Sequence, residues 1–140
     1  MTRQAAYGSV DSARKATKAG FKPDVISSDL HTRSRDRNLY SLAVTMSKFL
    51  SLGYTLNEVI SLATAAPARI LGLEVTHGRI EPGRKADLTI FSIKQGEFSF
   101  ADSDNVAFTG DKLIRSEFAV KAGSPFTCKE TAAGAGQRKA

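Results

Sequence analysis

At 140 residues, 41% hydrophobic and 24% charged, the chain can bury one ordinary core, and no stretch approaches the roughly 18 apolar residues of a membrane-spanning helix or the apolar segment of a signal peptide. The lone cysteine, Cys128, excludes an internal disulfide and points to a reducing compartment, the cytoplasm. The net charge of +6 is scattered, with Arg33, Arg35 and Arg37 alternating in one loop and Arg138 and Lys139 near the end, and this argues against a nucleic-acid partner.

Ser9 to Ala19, SVDSARKATKA, predicts a short helix with Ser9 as N-cap, Asp11 in the first turn and Val10, Ala13 and Ala16 at helical spacing. Gly20 is its expected C-terminal cap, and Pro23 stops continuation. DVISSD then reads as a short buried strand, so helix and strand form half of an α/β unit. Residues 30–38, LHTRSRDRN, form a polar surface loop. Leu39 to Leu52 places Leu39, Leu42, Ala43, Met46, Phe49 and Leu50 on one helical face. Gly53 ends that helix, and Thr55 and Glu58 have the spacing of a capping box opening the next. PARILGL is a separate short helical turn closed by Gly72, since Pro67 suits only a helix start.

The character changes at Val75. HGRIEPGRKADLTIFSI reads as strand, turn, strand, with Pro82-Gly83 central in a type II turn. EFSFAD and KLIRSEFAVKAG add two strands, with Gly96 and Gly110 at turns, and KETAAGAGQRKA reads as a disordered tail. The single α/β strand has no partner for its backbone amides, so the opening unit is expected to dock into a larger sheet.

Two stretches carry a family resemblance. ATAAPARILGLEVTHGRIEPGRKADLTIF, Ala63 to Phe91, resembles the C-terminal signature of the amidohydrolase superfamily through its PARILGL and G-x-I-x-P-G-x-x-A-D-L spacing. GSVDSARKATKAGFKPDVISSDLH followed by MSKFLSLGYTLNEVI is similar to the dihydroorotase-like amidohydrolase/deacetylase branch, and the likeness runs from about Gly8 to Gly123. It implies an α/β fold: a C-terminal fragment of a TIM-barrel metal-dependent hydrolase, with the last barrel strand and its covering helices, followed by strands of a small β-sandwich domain. The implied division is 1–73 for the barrel unit and helices, 74–123 for the sandwich strands and 124–140 for a disordered tail. A whole barrel needs about 250 residues.

The same resemblance implies zinc or another divalent metal in the complete enzyme, held by a His-x-His pair, a lysine, two further histidines and a strand-end aspartate. Asp29 matches that aspartate, making it both the candidate catalytic residue and the candidate metal ligand. A carboxylate at a strand end beside a metal can bind the ion, accept a proton from metal-bound water and return it to a leaving group. The residue alone also reads as an ordinary aspartate capping a loop. His31, two positions on, is the candidate substrate-binding residue, or else an exposed loop histidine. Ser27 and Ser28 satisfy loop amides rather than act as nucleophiles, His77, before a strand near a turn, reads as a surface residue, and Cys128 reads as incidental.

With two histidines and one cysteine, the chain cannot supply the three protein ligands of a catalytic zinc. The expectation is the C-terminal part of an amidohydrolase or deacetylase acting on amide, cyclic amide or acyl ester bonds, inactive alone and binding no metal tightly. The alternatives are a non-catalytic fragment that associates with a complementary barrel chain, and a basic binding module. The partners implied are a small-molecule substrate in the complete enzyme, and the N-terminal part of the barrel or a second copy of the chain.

Overall fold

The computed structural model describes residues 4–5, 9–28, 41–102, 104–127 and 136–137. Strand β1 (Gln4–Ala5) precedes helix α1 (Val10–Lys18), and β2 (Val25–Ile26) returns to pair with β1 in parallel, Gln4 opposite Val25 and Ala5 opposite Ile26. Parallel neighbours need a crossover, and α1 provides it. The opening strand therefore has a partner within the chain, contrary to the expectation of a single strand. QA carries no β-branched residue, so pairing with the β2 backbone, and not side-chain propensity, defines β1.

Among the described residues three further helices follow: α2 (Leu42–Ser51), α3 (Leu56–Ala63) and α4 (Ala65–Ile70). The Ser41 hydroxyl accepts the Val44 N–H at 3.3 Å, and Thr55 and Glu58 close the expected capping box. α4 carries Pro67 inside its first turn, where no intrahelical N–H is needed. α1 ends with Phe21 N–H donating to Ala16 O at 2.9 Å and Gly20 N–H donating to Thr17 O at 3.0 Å. This closure needs the left-handed backbone that Gly20 adopts at φ 77°. Leu39, Arg33, Arg35, Arg37 and Cys128 lie outside the described residues.

After Gly72 the chain makes a long loop. A turn at Pro82-Gly83 is closed by Arg84 N–H donating to Glu81 O at 3.2 Å, as expected, but residues 75–81 before it form no strand. Residues 77–84 instead form an excursion, pinned at its base by Lys85 N–H on Thr76 O at 3.2 Å and by the Arg84 guanidinium on the Glu74 and His77 carbonyls.

The four-stranded antiparallel sheet runs β5 (Ser124–Thr127), β4 (Ala107–Lys121), β3 (Leu88–Ala101), β6 (Gly136–Gln137). Neither Gly96 nor Gly110 makes a turn. Gly96 lies where one extra residue on β3, between Gln95 and Phe98, is absorbed as a bulge, so pairing continues through it. Gly110 lies where α2 approaches β4: a Cβ there would come 2.8 Å from the Ser51 Cβ and 3.0 Å from the Phe100 ring. Two segments of the stretch 124–140 expected to be disordered, Ser124–Thr127 and Gly136–Gln137, are paired strands, because backbone hydrogen bonding to β4 and β3 outweighs their small, polar composition.

Two apolar clusters hold these parts together. Ile26 of β2 packs with Met46, Phe49, Tyr54, Val59 and Ile114, so β2 is pressed against α2, α3 and β4. Val10 of α1 packs with Phe98, Phe100 and Phe108 of the hairpin. β5 covers β4 only along residues 118–121, which leaves the Ile114 N–H without a strand partner on that side. That N–H donates to the Ser47 hydroxyl at 2.8 Å, and the hydroxyl donates onward to Ala43 O at 2.8 Å, so α2 closes the open part of the β4 edge.

Candidate functional site

Parallel pairing delivers the C-terminal ends of β1 and β2 on the same side, where the sequence expects chemistry. Beyond Ile26, the half-buried Ser27 and Ser28 lead away from the strand, and the two expected site residues, Asp29 and His31, lie outside the described residues. Among the described residues, no group of three or more His, Cys, Asp or Glu side chains comes together. Ser27 and Ser28 offer neutral hydroxyls. The described residues therefore do not fit a divalent ion by themselves, which takes deprotonated or imidazole ligands.

The approach to β2 is fixed by charge. The Lys22 ammonium pairs with the Glu58 carboxylate and stands 5.8 Å above the Tyr54 ring. The Lys22 hydrogen bond and then the Thr55 backbone and hydroxyl hold the Glu58 carboxyl down at about 2, and the same pairing raises Lys22. The capping box of α3 thus doubles as the anchor for the loop that enters β2.

A buried carboxylate holds the other flank. Asp102, after β3, accepts the first free N–H of α1, from Val10, at 2.9 Å on Oδ2. Its Oδ1 accepts N–H groups from Asp104 at 2.9 Å and Val106 at 2.8 Å. Burial pushes this carboxyl up, but the three N–H donors and the Lys48 charge outweigh it and hold it below the usual carboxylate range. Lys48 of α2 donates to Ala101 O at 2.6 Å, and burial lowers its ammonium to about 8 despite the attraction of Asp102. Ser9, the expected cap of α1, makes no side-chain cap bond.

An apolar cleft of about 770 Å³ lies between α2, α3 and the sheet. Leu42 and Met46 line it from α2, Ile60 from α3, and Phe91 and Ile114 from the sheet. Its rim carries His77, Arg79, Lys85 and Asp87. His77, expected at the surface, is half-buried on this rim with Nδ1 2.7 Å from the Thr76 hydroxyl oxygen. Asp87 accepts from Lys121 Nζ at 2.5 Å and from Ala122 N–H at 2.8 Å; these bonds, the Lys121 one first, hold its carboxyl low.

Helix α1, strand β2, the later helices and most of the hairpin fall inside one recognised sequence pattern: residues 8–116 match the amidohydrolase family. The chain belongs to the amidohydrolase family. It is 38% identical over 104 residues to a deacetylase of Enterococcus faecalis, a match covering 74% of this chain and 28% of that protein. A crystal structure of an adenine deaminase superposes with a TM-score of 0.77 at 34% identity, over 83% of this chain and 32% of the other. A crystal structure of a dihydroorotase does so with a TM-score of 0.76 at 29% identity, over 85% and 32%. This amidohydrolase chain thus spans about a third or less of the length of these relatives. Among the described residues no helix is long and apolar enough to cross a membrane.

Asp102 and Lys48 are what sequence reasoning missed in this amidohydrolase. In sequence Asp102 is a polar residue in a turn, and only the fold brings it to Val10, 92 positions away. The available signal is SSD at 27–29 beside FAD at 100–102, each a carboxylate shortly after a run with apolar residues.

Proposed function

We propose that this chain is the C-terminal part of a metal-dependent amidohydrolase or deacetylase that hydrolyses amide, cyclic amide or acyl ester bonds in a cytoplasmic setting. Residues 1–73 supply the last parallel α/β unit of a barrel and its helices, and 74–123 supply strands of a small sandwich. The observation that supports this reading is a parallel β1–α1–β2 unit whose helix and second strand lie inside the stretch that matches the amidohydrolase family, with Asp29 three residues beyond β2 in sequence. Asp29 is the residue this chain contributes to the reacting site, as catalytic group and metal ligand, and His31 contacts substrate. A divalent metal supplies Lewis-acid activation of water when bound in such enzymes. The described residues do not fit that ion unaided, so the remaining ligands belong to the rest of the enzyme. The isolated chain binds zinc no more tightly than a surface site and turns over no substrate.

A chimera tests this reading. The 104-residue matching stretch of the Enterococcus faecalis deacetylase is replaced by its counterpart here. The expected result is a chimera that still releases acetate from an acetylated substrate and loses the activity on Asp29→Asn. A folded chimera whose activity survives Asp29→Asn overturns the assignment, as does stoichiometric zinc binding by the isolated chain.

A further inference from the structure

Helix α1 is capped from a distance. Ser9 has the extended backbone of an N-cap but makes no side-chain cap bond, and the Val10 N–H donates instead to Oδ2 of Asp102 at 2.9 Å. The carboxylate is only 7% exposed, and its Oδ1 is fixed by the N–H groups of Asp104 and Val106 at 2.9 and 2.8 Å. Its own N–H donates to Val106 O at 3.1 Å, and Lys48 of α2 donates to Ala101 O, one residue before it, at 2.6 Å. Helix stability alone needs no more than a local cap, and Ser9 stands where one would act. A carboxylate 92 positions away, itself fixed by two further N–H groups, adds what a local cap does not: it ties the first turn of α1 to the end of β3 along a defined direction.

The topology gives that direction a consequence. β1 and β2 are parallel, so the helix joining them runs back along the strands, and the first turn of α1 lies at the end where both strands finish. Chemistry in barrels of parallel strands lies at that end. The other end, where the chain enters β2, is tied separately by Lys22 and Glu58. The buried side chains of α1 are Val10 and Ala13, and apolar contact of this kind is non-directional. We infer that Asp102 is a positioning residue: through the Val10 N–H it orients the β1–α1–β2 unit at its strand-end side and so supports turnover without touching substrate. The inference rests on the reading of this chain as part of an amidohydrolase, and it names the group that aligns the reacting end of that part.

Asp102→Asn isolates the bond. The amide oxygen keeps the Asp104 and Val106 N–H groups, which preserves the turn, while the amide NH2 meets the Val10 N–H, donor against donor. Ser9→Asp then supplies a local cap, which restores the helix end but not the tie to β3. Both variants, singly and together, are placed in a chimera in which residues 8–116 of this chain replace their counterpart in the Enterococcus faecalis deacetylase, and acetate release is measured. The expected result for Asp102→Asn is a lower melting temperature and a kcat reduced at least ~tenfold with KM unchanged, as a small misplacement of a reacting group produces. Adding Ser9→Asp restores the melting temperature and leaves kcat low. A second readout needs no activity: in the 15N-labelled 140-residue chain, residual dipolar couplings of Val10–Lys18 and of β3 fit one common orientation in the parent and lose it in the double variant. An unchanged kcat in Asp102→Asn, a kcat that returns with Ser9→Asp, or parent-like couplings in the double variant each overturns the inference. An Asp29-dependent chimera indifferent to Asp102→Asn removes only the positioning role. A chimera indifferent to Asp29→Asn removes the catalytic assignment, and the couplings then decide alone whether Asp102 orients the unit.

Discussion

β3 and β4 hold twelve residue pairs in a single hairpin, whereas β1 and β2 hold two. Apart from the Ile114 N–H, which Ser47 of α2 accepts, the hairpin closes its own ladder and absorbs its irregularities as bulges. The parallel unit has almost no ladder and depends on groups from elsewhere: Ile26 sits in a cluster built by α2, α3 and β4, and Lys22 is tied to Glu58. Val10, at the start of the crossover helix, is held by the Asp102 carboxylate from the end of β3. Stability is local in one region and imported in the other. The residue proposed to act in catalysis follows the imported one in sequence.

The change that most directly breaks this dependence is Asp102→Ala. It removes the acceptor for the N–H groups of Val10, Asp104 and Val106 and a negative charge that attracts the half-buried Lys48. At about 1 kcal/mol for each orphaned donor, the expected loss is about 3 kcal/mol in urea unfolding. Hydrogen exchange should show the first turn of α1 released well before the middle of the hairpin, around Ser92 and Arg115. Equal release of both regions would mean that α1 and the hairpin unfold together, and the distinction between local and imported stability would be lost.

That distinction also explains what could be read from the chain in advance. Features decided within a few residues were legible: the Thr55–Glu58 capping box, the Pro82-Gly83 turn and the apolar face of α2. The family was legible too, because PARILGL and the G-x-I-x-P-G-x-x-A-D-L spacing lie in consecutive sequence. Features decided at long range were not. Gln4-Ala5 becomes a strand only because β2 lies beside it, and Gly110 is small because Ser51 approaches it. Asp102 looks like any turn aspartate until the fold brings α1 to it. Asp29 stands apart: its motif was legible, and its proposed role depends on groups outside this chain.

A smaller effect comes from the Lys48 ammonium, which burial lowers from its ordinary value of 10.5 to about 8. Between those values the unfolded chain carries a proton that the folded chain has lost. Unfolding therefore takes up a proton in this window, and stability rises as pH climbs from about 8 towards 10.5. Below pH 8 both states are protonated and this contribution is flat. The rise is smaller than the Asp102 effect because Lys48 keeps part of its contact with water and donates to Ala101 O in either state. Urea unfolding at pH 7.5 and 10 should show a stability gain for the parent chain that is reduced in Lys48→Met; an equal gain in both would assign the pH dependence to other groups.

The smallest predicted effect lies within the self-contained region and should stay there. β4 and β5 are joined by Ala122 and Gly123 at φ 48° and 82°, the pair of left-handed residues of a two-residue hairpin turn. Alanine carries a penalty of about 1 kcal/mol in that conformation, whereas asparagine tolerates it. The turn is already clamped to Asp87 through the Ala122 N–H and Lys121, so its shape does not depend on the residue at 122. Ala122→Asn should stabilise the chain by about 0.5–1 kcal/mol. Ala122→Gly should gain less, because glycine also adds freedom to the unfolded chain. The informative readout is where protection increases: along β5 and its partners Phe118 to Lys121, with the first turn of α1 unchanged. An equal increase at α1 would show that the hairpin passes its stability to the parallel unit as a whole, and the Asp102 carboxylate would no longer be needed to explain how the two regions are joined.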